Sequence, residues 1–162
     1  MTNTTQPNFG SILQQVAGSA FEAAGYELQA NPTHQARGLF RFRKASSEGL
    51  GMYVEFQMLL YGDAPSRFRV TLLRNKGADA RDPQDSNRVE VSLSRLIWEQ
   101  FGVRQLDTPD YWWTFANSHE MAHAIAHAGR LLFGFGVPWL EGSLAPTKPS
   151  EKPNPTEPDA QY

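Results

Sequence analysis

The chain has 162 residues, 40% hydrophobic and 12% aromatic, enough apolar material for one domain of ordinary size without cross-links. It holds no cysteine, which excludes a disulfide framework and a thiolate metal site and leaves His, Asp or Glu to bind any metal. A net charge of −2 argues against a strong nucleic-acid binder, and no stretch reaches membrane-spanning length. Met1 to Asn8 is polar and lacks an apolar signal core, so the expected location is the cytoplasm.

Residues 1–7 read as a flexible arm. Asn8 to Ala24 reads as an amphipathic helix, with Phe9, Ile12, Leu13, Val16, Ala20 and Phe21 at three- and four-residue spacing and Asn8 as its cap. Tyr26 to Ala30 suits a short strand and Asn31 to His34 a loop. From Gly38 to Ala45, Phe40 and Phe42 alternate with Arg41 and Arg43, the pattern of a half-buried strand. Leu50 to Tyr61 carries apolar side chains on both faces and is expected at the centre of the sheet. Arg67 to Arg74 alternates again, with Phe68, Val70 and Leu72 inward and Arg67 and Arg69 outward.

Asn75 to Asn87 is a Gly/Asp/Pro-rich loop. Val89 to Val91 can pair briefly, and Ser92 or Ser94 can cap a helix through Phe101 that Gly102 stops. Tyr111 to Phe115 is too bulky for a free loop and is expected as a last strand covering the core. Asn117 to Gly136 then forms the longest helical pattern, ended by Gly134, Gly136 and Pro138. Residues 143–162 carry five prolines among polar residues and read as a disordered tail. The prediction is an α+β fold in residues 8–142: an N-terminal helix, an antiparallel meander of three to five strands, and a C-terminal helix packed on the sheet.

Two constellations carry possible chemistry. The last helix spells His119-Glu120-Met121-Ala122-His123, the letters of the zincin helix. Two imidazoles one turn apart can share a Zn²⁺, and the intervening carboxylate can act as general base to the metal-bound water. The resemblance to zincins implies zinc on His119 and His123 with Glu120 catalytic, in a metallohydrolase. A third ligand is needed. His127 lies another ~6 Å along the axis, and Glu141 has no second helix to present it. The same letters also read as a cap: Asn117 at the helix start with Glu120 three residues on is a capping-box signal. On a helical wheel His119, His123, His127 and Arg130 fall opposite the apolar stripe of Met121, Ile125, Ala128 and Leu132, so the histidines face a cleft or water.

The second constellation is charge. Residues 37–76 carry eight Arg/Lys against three acids, and residues 77–142 carry five against nine. Outward Arg41, Arg43, Arg67 and Arg69 would form a basic sheet face, which with Tyr53 or Tyr61 among them could dock RNA or an acidic protein. The primary expectation is a non-enzymatic protein-interaction module without a cofactor. The zinc hydrolase and the RNA binder are the alternatives.

The order of elements also carries a likeness. Phe9-Gly-Ser-Ile-Leu and Phe21-Glu-Ala-Ala-Gly-Tyr open the domain, followed by Leu39-Phe-Arg-Phe-Arg, Val54-Glu-Phe-Gln57 and Phe68-Arg-Val-Thr-Leu72. Tyr111-Trp-Trp113 and Val137-Pro-Trp-Leu-Glu141 close it. Over residues 8–142 this resembles a family of small uncharacterised bacterial proteins grouped as a domain of unknown function. The resemblance implies an α+β fold and supplies no activity, cofactor or catalytic residue.

Overall fold

A computed structural model describes residues 5–46, 49–59, 65–75 and 88–142, with side chains from Phe9 onward. The expected arm, tail and Gly/Asp/Pro-rich loop fall largely outside these residues, as do most of the turns on either side of the central strand. The fold is α+β. Its elements in order are helix α1 (Thr5–Ala24), strand β1 (Glu27–Leu28), helix α2 (Pro32–Ala36) and strands β2 (Leu39–Ala45), β3 (Gly51–Leu59), β4 (Ser66–Asn75) and β5 (Val89–Ser92). After β5 come a short helix α3 (Leu93–Arg95) running into a π-turn, strand β6 (Trp113–Phe115), helix α4 (Ser118–Leu131), a second π-turn and helix α5 (Val137–Leu140). None of the described helices is long and apolar enough to cross a membrane.

Strand order is β1-β2-β3-β4-β5, all antiparallel, with β6 also paired to β4. Because β3 takes one edge of β4, β5 and β6 share the other: Ser92 opposite Thr71 and Trp113 opposite Phe68. β3 is central, as its two-sided apolar pattern predicts, and six consecutive residues from Gly51 to Phe56 are buried. Period-two alternation sends Phe40, Phe42, Val54, Phe56, Phe68, Val70 and Leu72 to one face, where the helices pack. Phe9 on α1 lies 5.4 Å from the Phe40 ring and 5.3 Å from that of Phe68. Phe21 stacks on Phe42 at 3.8 Å and 5°. Rings of this size contribute area burial plus about 0.5–1.5 kcal/mol per well-placed pair, so the phenylalanine cluster joins α1 to the sheet.

Three local expectations differ from the structure. α1 begins at Thr5, not Asn8. Pro7 falls in its first turn, where the missing N–H bonds nothing in any helix. Its buried row is Phe9, Leu13, Ala17 and Phe21, while Val16 points to solvent and Ala20 is exposed. The segment after Ala30 is a one-turn helix, not a loop: Asn31 Oδ1 accepts the His34 N–H at 3.0 Å and Pro32 sits at the first helical position. Finally, Gly134, Gly136 and Pro138 do not end the last helix. The chain widens into a π-turn over Leu132–Gly136 and continues through Pro138 to Leu140, because a proline in the first turn after the bulge forfeits little. Gly142, at φ +81°, makes the stop by donating its N–H to the Trp139 carbonyl at 3.0 Å.

Candidate functional site

The face of the sheet turned away from the helices carries the four arginines singled out above. Register puts Leu39, Gln57 and Arg69 in one row, Arg41, Glu55 and Thr71 in the next, and Arg43, Tyr53 and Leu73 in a third. The arginines divide into two groups. Arg41 is committed inside the protein: its Nε donates to Glu55 Oε2 at 2.7 Å, and Glu55 is only 2% exposed. Arg43 is exposed and lies beside Tyr53, its Cζ 5.8 Å from the ring centroid and its Nε 3.4 Å from the hydroxyl. Arg67 and Arg69 lie at the other end, beside β6. Their Cζ atoms stand 4.5 and 5.0 Å from the Trp112 ring centroid.

Trp112 was not among the expected partner residues. Its place follows from alternation through β6: Trp113 and Phe115 turn into the core, so Thr114 and Trp112 turn to the arginine face. The signal in the sequence was the pair Trp112-Trp113, which must split across a strand. The result is a half-buried indole flanked by two guanidinium groups, with Arg69 exposed. Stacking of this kind fixes the long side chains at about 0.5–1 kcal/mol each. Three of the four tryptophans carry an arginine in this way, since Arg104 stacks on Trp98 at 4.4 Å and Arg74 on Trp139 at 5.6 Å.

The histidine face of α4 is built differently. Asn117 caps the helix by accepting the Glu120 N–H at 2.9 Å, and Glu120 Oε1 accepts the Ala116 N–H at 2.8 Å. The capping-box expectation holds in outline, displaced by one residue, because the carboxylate reaches the amide before the cap. Met121, Ile125, Ala128 and Leu131 are buried. His119 and His123 are exposed, their rings edge to face at 4.6 Å. Glu141, weighed as a third ligand, is instead bonded to Lys44 Nζ, near the end of β2, at 3.1 Å. Among the described residues no three His, Asp or Glu side chains come together in a way that could hold a metal ion.

His127 stands apart from the other two. It is half-buried, and its Nδ1 accepts the indole N–H of Trp113 at 3.1 Å. That bond needs a neutral ring with its proton on Nε2. Burial, and then the charge of Arg130, hold the His127 pKa below the ordinary imidazole value. No family model, curated protein or solved structure matches this chain.

Proposed function

We propose that this domain is a non-enzymatic protein-interaction module whose basic sheet face binds an acidic segment of another protein. The observation that carries the reading is the Arg67–Trp112–Arg69 stack. Trp and Arg are the residue types that dominate interface energetics, because a rigid ring supplies area and a planar guanidinium supplies paired donors to carboxylates. Here the ring holds both guanidiniums at the surface edge of the sheet, so little side-chain freedom remains to be lost on binding. Arg43 extends the positive charge along the same face, whereas the Arg41 charge is spent on Glu55. Protein rather than RNA is favoured by the short reach of the patch: with Arg41 paired to Glu55, the face presents Arg43, Arg67 and Arg69, a short run of positive charge for a phosphate backbone that binds through many contacts.

The test is fluorescence anisotropy with a labelled short polyglutamate peptide and, in parallel, a labelled oligouridine. Saturable peptide binding that weakens about thirtyfold in Trp112→Ala, the ~2 kcal/mol expected of a hot-spot residue, supports the reading. Tighter binding of the oligouridine than of the peptide would overturn it in favour of RNA. Peptide affinity unchanged in both Trp112→Ala and Arg69→Glu, with far-UV circular dichroism intact, would remove the face from consideration.

A further inference from the structure

We propose that the cleft between β6 and the first half of α4 binds a small organic cation, a primary amine on an apolar or aromatic stem. The cleft has a volume of about 310 Å³, at the small end of the roughly 300–1,000 Å³ range of small-molecule pockets. Ala124 on α4 leaves room for it, and Tyr111 and Trp113, edge to face at 5.1 Å, form its aromatic side. Glu120 and His123 line it from α4.

Charge selects the ligand class. Glu120 is the one formally charged side chain in the lining. Its Oε1 is held by the Ala116 N–H at 2.8 Å, so the carboxylate is fixed before any ligand arrives. His127 also lines the cleft, and the Trp113 N–H on its Nδ1 requires the neutral ring, which adds no positive charge beside Glu120. The cleft therefore presents a fixed anion and ring surface, with no cation beside them among the described residues. That set suits an ammonium group with an apolar stem and repels a carboxylate or phosphate. The site is on the opposite side of β6 from the arginine stack and does not depend on the partner reading.

The experiment is a titration of the full chain followed on its tryptophan indole N–H resonances, with Trp113 assigned through a Trp113→Phe variant. The probe is benzylamine, with benzyl alcohol and benzoate as controls of matched shape. Benzylamine is expected to shift the Trp113 resonance saturably, and the controls to leave it in place. Glu120→Gln isolates the charge, because a Gln oxygen can still accept the Ala116 N–H and keep the helix start intact. Benzylamine affinity is expected to fall about tenfold in that variant, the effect of losing one charge-assisted hydrogen bond. Benzyl alcohol binding as well as benzylamine would overturn the proposal. So would an unchanged benzylamine affinity in Glu120→Gln, or no saturable shift of Trp113 at all.

Discussion

Arg41→Leu should destabilise the fold far more than its position on the outer face of a sheet suggests. The guanidinium of Arg41 is 2.7 Å from Glu55, the two side chains are 14% and 2% exposed, and Glu55 lies on the central strand. Removing Arg41 takes a charged partner from a desolvated carboxylate, a change that costs at most about 3–5 kcal/mol when a buried ion pair is broken. The partial exposure of Arg41 argues for the lower end, about 3 kcal/mol. For a chain of this length that corresponds to a fall in Tm of about 6–12 °C. Replacing both residues, as Arg41→Leu with Glu55→Leu, should recover most of the loss, because two apolar side chains of similar volume need no compensation. The assay is urea unfolding of the wild type and the two variants, with the m-value checked for constancy. A loss below about 1 kcal/mol for Arg41→Leu would match an exposed pair and refute the argument. A double variant no more stable than the single one would refute it as well.

Three further outcomes follow from particular contacts. The His127 pKa is lowered in the fold by burial and by Arg130, so the unfolded chain binds the proton more readily. Its contribution should be complete above pH ~6.5 and be lost as pH falls through the lowered folded value. Urea midpoints measured against pH should show this slope, and His127→Gln should flatten it; a slope unchanged in the variant would show that another group is responsible. Asn117→Ala should remove about 1 kcal/mol with the α4 cap, while Asn117→Asp keeps it, both read by thermal unfolding. In Gly136→Ala the new Cβ would stand 3.0 Å from Leu93 Cδ1, 3.1 Å from Leu132 Cδ1 and 3.3 Å from Leu72 Cδ1. Overpacking of this kind should destabilise by about 1–3 kcal/mol in the same unfolding assay.

What the sequence made legible was whatever a short period determines. Alternation placed Phe40 and Phe42 inward and Arg41 and Arg43 outward, and it marked β3 as the central strand. Asn117 and Glu120 announced the start of α4. Tertiary pairing was not legible. Four outward arginines look alike along the chain, yet Glu55 on a neighbouring strand neutralises one and Trp112, more than forty residues away in sequence, organises two others. Of the buried row Phe9, Leu13, Ala17 and Phe21, hydrophobic spacing marks all but Ala17, because Val16 is the better hydrophobe, whereas burial is set by which side of α1 meets the sheet. The break expected at Gly134–Pro138 failed because a π-turn absorbs the irregularity. The same local reading found the Glu120 cap and missed the His127–Trp113 bond, because the partners are 14 residues apart and meet only once α4 folds back beside the strand that precedes it.

The indole N–H resonances of the four tryptophans, recorded while an acidic peptide is added, address the partner surface most directly. Trp112 should shift saturably as the arginines beside it engage carboxylates, and the shift should weaken steeply with added salt. Trp113, turned into the core and bonded to His127, should stay in place. A peptide that moves Trp113 and leaves Trp112 unchanged would contradict the assignment of the basic face as the binding surface.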